Sequence, residues 1–348
     1  KPNINTNTLY AVNMDEVFKS SDRGETWVKI TSGTTPPGGN GGGMRIAVSE
    51  ADSNIVYVAM EADEGTVIKS VDAGDNFTTV YHNPSVSLTG YDSGGGGQGN
   101  YNFSLCADPT DANKVYLASH VVWKSTDGGI NWTQLTQWWA ILHTDMHHIL
   151  LNPYNPSQLW EANDGGVWLS VNGGTAWSTR SNGIISTEIY HAGQSNTRED
   201  LISIGTQDNG ELFYSANVWK CNRGGDWGPH CGFDYSHNNS VYYFNDGNRR
   251  KLIPNQGSVS LNLPVVTDGN TCFSFTPADT NVAYVGKDTL CVSTNLLNNT
   301  PTWTIVSALG QNIKAIKATP YNRNTVYVVT ANAKLYRIEN ATSGTPQI

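Results

Sequence analysis

One nine-residue pattern recurs along the chain: KSSDRGETW at 19 to 27, KSVDAGDNF at 69 to 77, KSTDGGINW at 124 to 132 and LSVNGGTAW at 169 to 177, with a looser VSTNLLNNTPTW at 292 to 303. The repeating serines, Ser20, Ser70, Ser125, Ser170 and Ser293, stand 50, 55, 45 and 123 residues apart. The last gap has room for two degenerate copies, placed near Tyr214 and Arg250. A pattern returning at this period requires a repeated supersecondary unit. In the second copy, MRIAVSE, NIVYVAM, TVIKSVD and NFTTVY are four β-rich runs separated by polar turns, and the box S-x-D-x-G-x-x-W falls on the turn between the third and fourth. There an Asp or Asn side chain folds back onto the turn amides, Gly takes the positive φ, and the aromatic seals the base. Ser20, Asp22 and Trp27, Ser70, Asp72 and Phe77, Ser125, Asp127 and Trp132, and Ser170, Asn172 and Trp177 are therefore structural. Their aspartates are not catalytic acids.

Four-stranded units at this spacing are blades, so the expected fold is all-β: a β-propeller of four-stranded antiparallel blades. The composition agrees, with 35 Gly, 14 Pro, 11 Trp, 16 Tyr and only 15% charged residues, and nothing reads as a long amphipathic helix. Residues 1–340 form one domain on this reading and 341–348 a linker-like tail. Residues 9–30 supply the last three runs of a unit and 313–340 the first three, with six complete units between. Because a propeller must hide its strand edges, seven blades with a composite closing blade is the first expectation; eight blades, or completion by further chain, are the alternatives.

The formal net charge of −9 argues against a nucleic-acid partner, which needs clustered Lys and Arg; only NRRK at 248–251 is locally basic. No run of about 18 apolar residues exists, so no membrane-spanning helix is expected. The start KPNINTNT reads as a mature or excised terminus. Five cysteines include no CxxC; Cys221 and Cys231 bracket a Gly-rich loop and could close a local disulfide, while Cys106 reads as a buried thiol.

In an up-and-down blade, the turns after the first and third strands share one side and the remaining connections share the other. The boxes occupy the first side. HTDMHH (143–148) and GGDWGPH (224–230) precede first strands, while NDGG (163–166) and TQDNG (206–210) join second to third strands, so all four fall on the opposite side. The Gly-rich segments 38–43 and 93–102 lie there too, suited to close approach of a ligand. If HTDMHH is extended, His143, Asp145 and His147 share a face and could ligate a divalent transition metal, with Asp208 or Asp226 as further ligands; an imidazole–carboxylate hydrogen bond locking the loop is the competing reading. Asp145 and Asp208 are the candidate catalytic carboxylates. Asp164, Asn209, Asp226, Trp227, Trp138 and Trp139 are the candidate ligand-binding residues, the tryptophans as flat apolar surfaces for a ligand.

The boxes resemble Asp-box, or BNR, repeats, shared by sialidases, sortilin-type domains and the xyloglucanases of glycoside hydrolase family 74. The order GGGGQGNYNFSLCADPTDANKVYLAS, VWKSTDGGINW, HTDMHHILLNPYNP, NDGGVWLS, TQDNGELF, GGDWG is similar to exported bacterial Asp-box proteins related to that family. The resemblance implies a secreted or cell-surface propeller directed at polysaccharide or cell-surface glycan, or at neighbouring domains of the same protein. Family 74 enzymes place a catalytic aspartate on each of two propellers, whereas one is legible here, and the arginine framework of sialidases is missing. Binding is therefore favoured over an endo-glucanase or xyloglucanase activity, with a purely structural domain as a third reading.

Overall fold

A computed structural model describes residues 7–33, 43–61, 65–91, 97–138, 140–184, 187–223, 230–236, 240–245, 248–253, 257–264 and 271–348. The chain divides into two compact units, Lys1–Ile184 and Ile185–Ile348. Among the described residues no helix is long and apolar enough to cross a membrane.

The first unit holds four sheets. The first is β1 (Leu9–Val12), β2 (Val17–Ser20) and β3 (Val28–Lys29); the second is β4 (Met44–Val48), β5 (Val56–Met60), β6 (Val67–Ser70) and β7 (Thr78–Tyr81). The third runs β8 (Ser104–Ala107), β9 (Val115–Ala118), β10 (Val122–Ser125), β11 (Thr133–Gln134), and the fourth β12 (Met146–Asn152), β13 (Asn155–Asn163), β14 (Gly166–Ser170), β15 (Ser178–Thr179). The second unit holds four more: β16 (Ile189–Gln194) to β19 (Val218–Arg223) through β17 (Ile202–Thr206) and β18 (Gly210–Ser215); and β20 (His230–Phe233), β21 (Val241–Asn245), β22 (Asn248–Ile253), β23 (Gly257–Ser260). Then follow β24 (Cys272–Phe275), β25 (Ala283–Gly286), β26 (Thr289–Ser293), β27 (Thr304–Ala308), and last β28 (Ile313–Ala318), β29 (Val326–Thr330), β30 (Leu335–Ile338). Every sheet is an antiparallel meander in chain order.

Among the described residues eight sheets are seen, and the first expectation of seven blades is not confirmed. β1–β3 and β28–β30 each form a three-stranded antiparallel sheet. The two degenerate copies near Tyr214 and Arg250 are the sheets β16–β19 and β20–β23.

In three sheets the second strand is buried on both faces and reads as a continuous apolar run: β5, β9 and β25 are buried throughout. Their side chains pack between successive sheets, as where Tyr57, Ala59 and Val67 meet Leu105, Val115 and Leu117. A tyrosine hydroxyl shielded from water needs an acceptor, and three find one in the following sheet. Tyr10 donates to the Ala73 carbonyl at 2.6 Å, Tyr57 to Ala112 at 2.7 Å and Tyr284 to Arg323, whereas Tyr242 donates to the Asp234 carboxylate at 2.9 Å with the Leu296 carbonyl 3.4 Å away.

The boxes close the third-to-fourth strand turns of the first unit with one repeated network. The hydroxyls of Ser20, Ser70, Ser125 and Ser170 donate to Asp22, Asp72, Asp127 and Asn172 at 2.7, 2.7, 2.8 and 2.9 Å. They accept from the amides of Gly24, Gly74, Gly129 and Gly174 at 2.8 to 2.9 Å. Those glycines have φ of 94, 83, 88 and 91°, which a side chain would strain. The indole N–H of Trp27, Trp132 and Trp177 donates to the same glycines' carbonyls, and Phe77, which has no such donor, is instead buried.

The tail is packed onto the second unit: Ala341 lies in its core, and Glu339 and Gln347 exchange backbone hydrogen bonds. The expected Cys221–Cys231 disulfide is not formed. Cys221 is exposed on β19 opposite Leu212, whereas Cys231 is buried on β20, the first strand of the next sheet, with its thiol directed to the His191 carbonyl at 3.5 Å.

Candidate functional site

The far end of the third and fourth sheets, away from their boxes, gathers the polar residues of the first unit. Four segments meet there: the connection entering β8, the β9–β10 turn, the connection entering β12 and the β13–β14 turn. They are tied by backbone and side-chain bonds, Met146 N–H to the Ser119 carbonyl at 2.8 Å and the Asn163 amide to the His143 carbonyl at 3.0 Å.

Asp145 sits at the centre of this end. Its φ is 60°, so the backbone is left-handed just before β12 begins at Met146. Asp tolerates this region better than most residues, and the surrounding bonds over-determine it. The carboxylate is nearly buried and accepts from the Gln98 amide at 2.5 Å and the Asn102 amide at 2.6 Å, with His120 Nδ1 at 3.3 Å. The same Nδ1 lies 2.8 Å from the Thr144 hydroxyl. His120 is covered by Tyr91, whose ring stacks on it at 4.0 Å, and Trp138 meets Tyr91 edge-on at 5.0 Å.

Asp164, on the β13–β14 turn, pairs with His147 Nε2 at 2.7 Å and stands 3.4 Å from the Tyr101 hydroxyl. Hydrogen bonding to Asp164 raises the His147 pKa against the opposing effect of burial. Tyr101 packs edge-on against the same imidazole at 4.9 Å while more than half its surface stays exposed. One oxygen of Asp145 and one of Asp164 lie within 4.8 Å of each other, a spacing at which a single cation could take a ligand from each.

Beneath the turn, Glu161 on β13 is 1% exposed. One carboxyl oxygen accepts from the Asn163 amide at 2.8 Å; the other has no hydrogen-bond partner among the described residues. Burial pushes its pKa up to about 9, so the group is protonated at neutral pH.

The trio His143, Asp145 and His147 does not converge. The left-handed Asp145 breaks the alternation an extended segment would have given: His147 turns to Asp164, His143 Nδ1 faces the Thr144 carbonyl at 3.1 Å, and Asp145 takes the two amides. Asp164 and Trp138 fall beside Asp145, though Asp164 holds the imidazole partner. Asp208 and Asn209 belong to the second unit, on the β17–β18 turn. There Asp208, with φ of 58°, accepts from the Gln207 amide at 2.6 Å, and the Asn209 amide donates to the Gln207 carbonyl at 3.2 Å. Trp139, Asp226 and Trp227 lie outside the described residues. Sequence reasoning placed the segment 93–102 at this end but not the roles of Gln98, Tyr101 and Asn102, and it missed His120 and Glu161. His120 could have been found by laying the β9–β10 turn over NDGG and TQDNG, since all three join second to third strands.

No protein-family model and no curated protein matches the chain. Solved structures do. An ancestral glycoside hydrolase family 74 enzyme superposes with a TM-score of 0.51 at 13% identity, over 97% of this chain and 61% of the enzyme. The family 74 enzyme of Niastella koreensis gives 0.40 at 13% identity over 98% and 70%, and YCF48 bound to D1 peptide 0.34 at 13% over 84% and 90%. The chain thus spans about three fifths of the ancestral enzyme's length. At this identity the first likeness speaks to fold alone: the chain is a β-propeller of four-stranded antiparallel blades, as its sheets require.

Proposed function

We propose that this chain is an exported, carbohydrate-directed Asp-box propeller that binds glycan at the Asp145–Asp164 end of the first unit. The observation that carries this is one cluster in which hydrogen-bonding carboxylates stand beside the exposed rings of Tyr91, Tyr101 and Trp138. Sugar rings offer apolar C–H faces to aromatic surfaces and hydroxyls to carboxylates, so the two kinds of group together match one ligand class. Export follows from the resemblance of the repeats.

Hydrolysis is the weaker use of the same end. It needs a protonated carboxyl at the glycosidic oxygen with a second carboxylate about 5 to 9.5 Å away. Asp145 and Asp164 are close enough, but each is already held by nitrogen donors. The carboxyl whose pKa burial raises, Glu161, is sealed beneath the turn. A divalent cation bridging Asp145 and Asp164 is a second reading, favoured by their oxygen spacing; a melting temperature raised by calcium or magnesium in the wild type but not in Asp164→Asn would support it.

The test is a glycan array followed by calorimetric titration of the hits, with product release measured in parallel. Tyr101→Ala and Trp138→Ala each weaken binding about tenfold, corresponding to about 1.4 kcal/mol, and no sugar is released. Variants that bind as the wild type does would sink the proposal, and release abolished by Asp145→Ala would replace binding with hydrolysis.

A further inference from the structure

The second unit carries a cluster of polar groups that the glycan proposal does not use. The first strands of its four sheets bring together His191 on β16, His230 on β20, Cys272 on β24 and Lys314 on β28. With Lys287, just after β25, and Asn312 they line a cleft of about 370 Å³. That volume is within the range that holds small ligands, about 300 to 1,000 Å³.

The charge of this cleft is one-sided. Among the described residues no Asp or Glu lines it. Lys287 and Lys314 have no side-chain hydrogen bond or ion pair among the described residues, although the chain as a whole is acidic at −9. The two imidazoles stack at 3.3 Å with 27° between their planes, an arrangement that two cations would not hold. Burial lowers the pKa of both, His230 to about 4 with His191 adding to the effect, so they are neutral donors or acceptors at physiological pH. Burial likewise keeps the Cys272 thiol protonated, directed to the Ile313 carbonyl at 3.7 Å. Two unpaired ammonium groups on one concavity repel each other, and a negative group between them removes that cost.

We propose that this cleft binds a small oxyanion, the carboxylate, sulfate or phosphate group of a low-molecular-weight ligand, held by Lys287 and Lys314 with Asn312 and the imidazole N–H groups as neutral donors. Two sources could supply that group, a free inorganic ion or an anionic sugar. The site does not depend on the Asp145–Asp164 end, so either proposal can fail without the other.

The experiment is calorimetric titration of the full chain at constant ionic strength with sodium sulfate, sodium phosphate and glucuronate, and with glucose as the neutral control. At least one anion binds saturably and glucose does not. Lys287→Met/Lys314→Met weakens binding at least tenfold, and Lys287→Arg/Lys314→Arg retains it. Glucuronate tighter than both inorganic ions identifies a charged saccharide; the reverse order identifies a free oxyanion. Melting curves establish that the variants are folded. The proposal is overturned if none of the three anions saturates the wild type, or if the double methionine variant binds them unchanged.

Discussion

The two units build the same kind of sheet with different turn chemistry. In the first, four turns share one Ser–Asp/Asn–Gly network, down to hydrogen bonds that agree within 0.2 Å. In the second, the sheets β16–β19 and β20–β23 carry no such box. The seventh sheet keeps only a remnant, in which Ser293 donates to Asn295 at 3.1 Å and accepts its amide at 3.3 Å. All of these sheets nevertheless keep a full antiparallel ladder. The ladder and the apolar faces make a blade; the box reinforces one turn. Buried ionisable groups differ in the same way. Lys251 in the second unit is surrounded by the carbonyls of Leu296, Leu297 and Asn298 at 3.1 to 3.3 Å, whereas Glu161 in the first leaves one oxygen unpaired. Buried polar atoms without a hydrogen-bond partner among the described residues occur in both units, His120 Nε2 and a Glu161 oxygen in the first and the Ser203 hydroxyl in the second.

The sharpest way to break this contrast is Glu161→Gln, which replaces a protonated acid by its neutral likeness. The folded-state pKa of about 9 lies above the ordinary 4.5, so the folded chain holds a proton the unfolded chain releases. Stability therefore falls as pH rises between those values. Wild type and variant should be equally stable near the lower value and diverge by about 1.4 kcal/mol per pH unit above it. Urea unfolding at two pH values measures this, and a pH-independent gap would mean that Glu161 is adequately solvated. Next in size, Ser125→Ala strands buried donors and should cost about 2 to 3 kcal/mol, against about 1 for Ser293→Ala. Equal costs in denaturant titrations would show that the box adds nothing over its remnant. The smallest effect concerns acid. Hydrogen bonds from the Asn76 side chain, the Asn76 amide and Ser70 hold the exposed Asp72 carboxylate at about 2. Its contribution is present above the ordinary 3.8 and is lost as pH falls through about 2. Asp72→Asn, which copies Asn172 of the fourth box, should flatten that part of the melting temperature profile.

The strand order, the boxes and the end of the blades that carries HTDMHH and NDGG were all legible, because each depends on local periodicity and on turn residues with few conformational options. The arrangement of the HTDMHH side chains was not. A single left-handed residue, Asp145, reverses which side chains share a face, and no pattern of residue types announces a positive φ at Asp. Glu161 was hidden for another reason: in QLWEAN it shares a strand face with Leu159, but a carboxyl in a short mixed run carries no sign of burial, which the packed structure supplies. The basic cleft draws on residues from β16 to β28, so no window of sequence contains it. The Cys221–Cys231 pairing failed because closeness in sequence did not place the two thiols in one sheet.

The tyrosine hydroxyls set a rule of growth. For Tyr10, Tyr57 and Tyr284 the donor belongs to one sheet and its acceptor to the next toward the C terminus. Such a contact is heterologous, with a head and a tail, and it carries no signal for where to stop. Duplicating one such module in the gene would present its neighbours with the acceptor and donor they already expect, so what limits the number of modules is the closure of the propeller and not the joint between sheets.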